Sequence, residues 1–393
     1  MHMRRPGVFY CLCYTAAIFA LTYGGIYKET LNLFDTNLFD LTLIAAITLI
    51  FLMVFGQSII VTRDAFTISL VLLIFTIIYA GSLLYSPSNT YGLRKLIIFS
   101  GCLFSFFVGM VVPKKVESYV FIALPYFAIF SVTGYLYLMS QDFTPAKILA
   151  FAGVSLSAGE MVGLGIIVLL CEKNSSIGRT ILLVVSFITL LLLGARGPFI
   201  SALVIAVFIY GISFFKKNVD YLQSKKINKY LYVLFALLMV VVLDMNSTIT
   251  IFQTLEDGLS RFSLLFESDK GNSVNSRLTM LTDSWDKIGE APILGYGVGS
   301  YGLVVYGIDF RAYPHNIPLE IWFEAGIFCL IAFLTFVSMI FARAVTVDKV
   351  LVFILVYLVL NFLKSSSLDE LRMFFFACGL CVNARLVSRK VYY

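Results

Sequence analysis

The chain has 393 residues, 60% of them hydrophobic and 13% charged, with a mean hydropathy of +0.93. Soluble domains carry about 25% charged residues, so a single water-soluble core is excluded, whereas a bilayer absorbs this much apolar surface. The net charge of +6 does not argue for nucleic acid, because no basic run is long and Lys and Arg of membrane proteins gather in cytoplasmic loops.

Taken in chain order, the apolar runs predict an all-α, polytopic bundle of about 12 spans. Arg4 and Arg5 precede a first run at 8–26. This resembles a signal sequence, but no small-residue cleavage site follows, so it reads as an uncleaved helix. Runs at 41–61, 66–84, 96–112, 118–139 and 148–170 come next, the last carrying Glu160, and then 180–194, 198–215 and 230–242. A long polar segment, 243–316, separates these from runs at 317–342, 350–362 and 371–387. The expected organisation is therefore spans one to nine in 1–242, a large loop at 243–316, and spans ten to twelve in 317–393. The runs at 180–194, 230–242 and 350–362 are short, which suits helices that continue into polar segments or sit inside a bundle.

Segments assigned to the cytoplasm hold 17 Lys and Arg, against 7 in the short external ones. Long loops are exempt from the positive-inside rule, so this ratio puts both termini in the cytoplasm and segment 243–316 outside. The seven cysteines lie in or beside apolar runs. Cys378 and Cys381 spell C-x-x-C without partner ligands, and read as small buried side chains. No internal repeat or linker divides the chain.

The external segment contains an amphipathic helix signal. Asn272, Ser273 and Asn275 offer caps, Leu278, Leu281, Trp285 and Ile288 recur at helical spacing, and Pro292 with Gly295, Gly297 and Gly299 ends it. Such a helix lies along the bundle or the membrane surface. Gly297, Gly299 and Gly302 spell G-x-G-x-x-G. Without a preceding strand this is not a dinucleotide fingerprint, and the glycines read as a tight turn or a close backbone approach.

His315, in Tyr313-Pro314-His315-Asn316, is one of only two histidines and sits at the external mouth of the tenth span. It is a candidate general base, with a helix-end anchor as the alternative. Arg196, in Gly194-Ala195-Arg196-Gly197-Pro198, is a cation wedged between two spans, which is costly without a partner and so reads as functional; pairing with a carboxylate or a lipid headgroup is the alternative. Arg277 opens the external helix, where a helix N-terminus also favours an anion; a solvated loop arginine is the alternative. Two arginines and a histidine on one face suit a reaction that expels a phosphate-bearing leaving group. No His/Cys/carboxylate cluster with metal-ligand spacing appears in that segment.

The stretches Leu193-Gly194-Ala195-Arg196-Gly197, Ser276-Arg277 through Trp285 to Gly299, and Tyr313-Pro314-His315-Asn316 with Leu319-Glu320 and Glu324-Ala325-Gly326 together resemble the O-antigen polymerase/O-antigen ligase superfamily of bacterial surface-polysaccharide enzymes. Tyr85-Ser86-Pro87-Ser88 and Tyr91-Gly92 before Lys95 add a weaker echo. The resemblance implies a membrane-embedded, inverting, metal- and cofactor-independent glycosyltransferase of the bacterial inner membrane, with its active site facing the periplasm. It implies an undecaprenyl-diphosphate-linked glycan donor held by Arg196 and Arg277, and an acceptor hydroxyl activated by His315. Lys95 and Asn316 would add substrate contacts. A glycan or lipid acceptor, membrane lipid and a chain-length regulator are the implied partners. The Tyr-Pro-His-Asn form followed by Leu319-Glu320 favours a polymerase of lipid-linked repeat units. A ligase acting on lipid A–core is the first alternative. A lipid-linked sugar flippase is the second, for which Glu160 within a span is the evidence.

Overall fold

The computed structural model describes residues 7–31, 41–54, 62–140, 145–172, 176–193, 195–215, 272–364 and 366–383. Among them the secondary structure is helical, without strands. The order is α1 (Val8–Leu31), α2 (Leu41–Val54), α3 (Arg63–Gly81) with a 3₁₀ turn (Ser82–Tyr85), α4 (Tyr91–Val111), α5 (Lys114–Ser140) and α6 (Pro145–Cys171). Then come α7 (Ile177–Leu192), α8 (Arg196–Phe215), α9 (Asn272–Glu290), α10 (Tyr301–Tyr306), α11 (Ile317–Val347), α12 (Lys349–Phe362), a 3₁₀ turn (Leu368–Glu370) and α13 (Arg372–Val382). The expected ninth span, 230–242, and the first part of the long segment, 243–271, lie outside the described residues.

The helices follow the apolar runs and overshoot them where a polar side chain caps the end. Thr62 accepts from the Ala65 amide at 3.2 Å and Ser176 from the Arg179 amide at 3.2 Å. Each satisfies an otherwise orphaned amide of the first turn, so α3 and α7 begin ahead of the hydrophobic residues. Among the described residues, four helices are long and apolar enough to cross a membrane: Arg63–Tyr85, Tyr91–Val111, Lys114–Val132 and Ile317–Val347. Others fall short of the expected span length. The 14 residues of α12 cover about 21 Å at 1.5 Å per residue, against roughly 30 Å of hydrocarbon.

Contacts divide the described chain into two units, one drawn from 1–25, 34–119 and 272–393 and the other from 26–33 and 120–271. Residues 272–316, with α9 and α10, fall in the first unit together with α3, α4 and α11. The centre of that unit is aromatic. Phe75 of α3 meets Phe333 of α11 at 5.3 Å between ring centroids, and Phe99 of α4 meets Phe375 of α13 at 5.8 Å, edge-on. Helices α4 and α13 approach so closely that a Cβ on Gly109 would lie 2.2 Å from the Phe376 carbonyl oxygen, and one on Gly379 2.1 Å from that of Phe106. Small residues permit such crossings between apolar helices. Short α13 is buried along Met373–Val382, including Cys378 and Cys381, whose thiols are free.

In the second unit, α6 packs against α7 and α8. Gly159 of α6 faces Ala195 and Pro198 at the start of α8, and Gly165 faces Pro125 of α5.

Candidate functional site

Helix α11 is interrupted. At Gly326 the backbone turns to φ 77° and ψ 179°, which breaks the helical hydrogen-bond ladder between its first turns and the remainder. The turn after α9 repairs the break. The Tyr296 amide donates to the Phe323 carbonyl at 2.8 Å and the Gly297 amide to the Glu324 carbonyl at 2.7 Å. The Ile327 amide donates to the Pro292 carbonyl at 3.1 Å. Irregular backbone at membrane depth is tolerated where protein supplies its partners. The expected close-approach role of the glycines is what the turn uses: Gly295, Gly297 and Gly299 all have left-handed φ, between 70° and 92°. A Cβ on Gly297 would lie 2.3 Å from the Ser86 Cα.

The Tyr-Ser-Pro-Ser stretch docks on the same turn. The Tyr85 hydroxyl donates to the Leu294 carbonyl at 2.5 Å, Ser86 donates to the Val298 carbonyl at 2.8 Å, and Ser82 accepts from the Val298 amide at 3.1 Å. Asp309 closes the other side, accepting from the Ser88 hydroxyl at 2.7 Å, the Thr90 hydroxyl at 2.8 Å and the Thr90 amide at 3.1 Å. Burial pushes the Asp309 carboxyl up, but these donors outweigh it and hold it below the ordinary carboxylate range. The weaker echo in the sequence is thus the partner strip of the glycine turn.

Beneath this turn lies a buried charge cluster. Lys95 of α4, fully enclosed, donates to Glu320 at 2.5 Å and to Glu324 at 2.6 Å, both enclosed as well. Glu320 also accepts from the Ser367 hydroxyl at 2.7 Å and the Leu368 amide at 3.1 Å. Glu324 accepts from the Gly299 amide at 3.0 Å and the Tyr79 hydroxyl at 2.6 Å. One ammonium and four further donors therefore saturate two carboxylates at i, i+4 on one face of α11. Lys95, expected to assist with the diphosphate, has these carboxylates as its partners. Glu320 and Glu324 received no role from the sequence. Two acids one turn apart in an apolar helix signal a cationic partner.

His315 follows the loop that leaves α10. Among the described residues it is the one non-glycine residue with a left-handed φ, 56°, a conformation that costs an L-residue about 1–2 kcal/mol. Its neighbours hold it there. Asn316 caps α11 by accepting from the Leu319 amide at 3.1 Å, and its amide nitrogen donates to the Leu363 carbonyl at 3.1 Å. Both ends of the Asn316 side chain, expected to touch substrate, are thereby engaged within the protein. On the other side the His315 ring lies 4.5 Å from that of Tyr313, whose other neighbour is the Arg311 guanidinium at 5.5 Å, itself paired with Glu370. Burial pushes the Tyr313 hydroxyl above its usual range. Strain of this kind collects at functional positions.

Arg277 lies in the second turn of α9, half-buried, in register with Leu281, Ser284 and Ile288. The apolar residues that recur at helical spacing divide between the inside and the outside. Ser284 and Ile288 are buried while Leu278 and Trp285 are exposed, because a small hydroxyl fits against Tyr301, with Ser284 and Tyr301 oxygens 3.4 Å apart. Trp285 turns aside and meets Trp322 edge-on at 5.7 Å. Arg196 belongs to the other unit and is the first residue of α8, separated from the end of α7 by three residues. At that position the amides of the helix are themselves positive, so an anion is drawn by backbone and side chain together. Glu160 is half-buried in α6. Among the described residues, no three His, Cys, Asp or Glu side chains are grouped as a metal ion requires.

Compared with known families, residues 181–334 match the family described as O-antigen ligase. The matched segment runs from α7 into α11 and contains Arg196, Arg277, the glycine turn, His315, Glu320 and Glu324. No curated protein matches the chain.

Proposed function

The chain belongs to the O-antigen ligase/polymerase superfamily through residues 181–334 and is a multi-pass membrane protein; from that premise we propose that it polymerises lipid-linked polysaccharide repeat units. The donor is a glycan on undecaprenyl diphosphate, and the acceptor is a sugar hydroxyl of a second lipid-linked unit. His315 takes the proton of that hydroxyl. The oxygen attacks the anomeric carbon from the face opposite the diphosphate, the anomeric C–O bond breaks, and the electron pair leaves with the diphosphate. Arg196 and Arg277 neutralise the charge that develops there. Inversion at the anomeric carbon follows from this single displacement. Asn316 fixes the backbone of His315. The active site faces the periplasm, with both termini in the cytoplasm.

The observation that carries this reading is His315 itself: a residue with a left-handed backbone, its ring tilted against that of Tyr313 and its C-terminal neighbour Asn316 serving as the cap of α11. A ligase that transfers the glycan to lipid A–core is the second reading, favoured by the description of the matched family.

Deleting the gene and separating the surface glycans on a gel tests the class. A lost polymerase leaves a single capped repeat, a lost ligase leaves bare core, and a lost flippase leaves no glycan outside. Within the enzyme reading, His315→Ala, Arg196→Lys and Arg277→Lys each abolish visible polymer at near-normal protein levels. Removing a positioned base costs a factor of about 10²–10⁴, and an ammonium keeps the charge of a guanidinium but loses its fork. Donor binding separates the three, falling in both lysine variants and holding in His315→Ala. Full activity of His315→Ala removes the base from the mechanism. Because the arginines supply the positive charge, activity persists in EDTA; loss under chelation with recovery on adding magnesium refutes that assignment.

A further inference from the structure

Both tryptophans of the chain, Trp285 and Trp322, lie on one continuous apolar strip that runs from the external helix to the end of a membrane span. Its links are direct. The Trp285 and Trp322 rings touch edge-on, and the Trp322 indole nitrogen donates to the Pro292 carbonyl at 2.9 Å. Pro292 leads into Ile293 and Leu294, whose carbonyl holds the Tyr85 hydroxyl. Tyr85 and Leu84 are the last residues of the span Arg63–Tyr85. The strip faces outward: Leu84 is 93% exposed, Leu294 63%, Trp285 60% and Ile293 58%. Leu278, two turns before Trp285 on the same flank of α9, is exposed as well.

The strip meets a second membrane-span helix. The Ile327 amide is bonded to the Pro292 carbonyl, and the next residue, Phe328, is an exposed aromatic at the start of the long arm of α11. α3 and α11 are packed neighbours; Leu84 lies at the end of the span Arg63–Tyr85, and Phe328 lies within the span Ile317–Val347 just after its break at Gly326. Large apolar groups left bare in continuity with spans are expected where the occupant is lipid. Tryptophan and tyrosine at the span ends are the residues that favour the headgroup boundary, where one part of the ring is dry and its N–H or O–H is wet. The remaining flank of α9 carries Asp286, Lys287 and Glu290, with the last two paired at 2.8 Å, as suits a helix lying in the interface plane.

We propose that the strip Leu278–Trp285–Trp322–Ile293–Leu294–Leu84 beds into the headgroup layer of the bilayer and seats α9 on the membrane surface. The proposal concerns where this surface sits and is independent of the reaction assigned above.

The intrinsic fluorescence of the full chain tests it, because the two indoles report on this strip and on nothing else. The protein is reconstituted in phosphatidylcholine vesicles whose acyl chains carry bromine either near the headgroup or near the chain terminus, and iodide is titrated from the water. The expected result is loss of emission chiefly with the shallow bromines, and weak quenching by iodide. Trp322→Phe, which leaves Trp285 as the single indole, repeats the pattern. Strong iodide quenching without bromine quenching places the strip in water and overturns the proposal. Resistance to both quenchers means that protein covers it, and stronger quenching by the deep bromines means that it is immersed with the spans; either result overturns the proposal as well.

Discussion

The two units hold their helices together in different ways. In the first, the turn at 291–299, the Tyr-Ser-Pro-Ser stretch and the break in α11 are tied by polar contacts across more than 200 residues of sequence, ending on the Lys95–Glu320–Glu324 cluster. In the second, the helix contacts include Gly159 on Ala195 and Pro198 and the edge-on rings of Phe187 and Phe199. Buried hydroxyls there return to their own helix: Ser186 donates to the Leu182 carbonyl and Thr189 to that of Val185, each at 2.8 Å. Apolar packing alone leaves a helix free to slide at little cost, since lipid tails are as apolar as its neighbours. Directional, fully enclosed polar contacts fix register. The contacts described around the glycine turn and Lys95, in the unit that carries His315, are of this kind.

Removing one partner of the enclosed cluster tests this most severely. Lys95→Met leaves two carboxylates without their ammonium, and breaking a buried pair in this way costs about 3–5 kcal/mol. Thermal unfolding of the detergent-solubilised protein should show the largest loss of any single change discussed. Adding Glu320→Gln and Glu324→Gln to Lys95→Met should restore most of it, because no uncompensated charge remains. If the triple variant is no more stable than Lys95→Met, charge balance is not what the cluster provides.

The packing in the second unit should break more gently. A Cβ on Gly159 lies 2.6 Å from the Ala195 Cβ, so Gly159→Val forces the helices apart, a change typical of overpacking at about 1–3 kcal/mol. Gly159→Ala should cost less than Gly159→Val in the same unfolding measurement. Equal cost would mean that the contact is not steric.

The smallest effect is one of pH. Hydrogen bonds from Ser88 and Thr90 hold the Asp309 carboxyl below its ordinary range against the opposing effect of burial. A depressed carboxyl contributes stability above its unfolded value of about 3.9 and loses that contribution as pH falls through the lower folded value. The gap in melting temperature between the native chain and Asp309→Asn should therefore be constant from pH 7 to 5 and close only under more acid conditions. A gap that widens in acid contradicts the assigned sign.

How much of this was legible in the sequence depends on the range over which each contact acts. Helix positions were readable because an apolar run is local, and their early starts at Arg63 and Ile177 come from caps at Thr62 and Ser176 that are visible beside the runs. His315 and Arg196 stood out because a lone histidine and a cation between spans are rare. The partners of Lys95 were not readable, since 225 residues separate it from Glu320 and nothing local marks it as enclosed. The break at Gly326 was equally silent, because an isolated glycine is tolerated inside a continuous helix and only the carbonyl of Ile293, 1.9 Å from where a Cβ would stand, shows why it must be glycine. The apolar residues of α9 were readable by their helical spacing, but not which of them are buried: Ser284 lies inside and Trp285 outside, in a region where lipid is also a solvent.

The pairing of Lys95 also orders events during synthesis. Helix α4 leaves the ribosome 225 residues before Glu320 and 229 before Glu324. Until those carboxylates arrive, its ammonium has to remain hydrated at the membrane surface, because an uncompensated cation in hydrocarbon is costly. Helix α4 therefore reaches its final depth only when α11 is inserted, and the glycine turn, which donates to Glu324 through Gly299, closes at the same moment. The loop carrying His315 is the stretch of chain translated just before that event. Its folding is thus tied to the arrival of the helix that completes the charge balance of a span made long before.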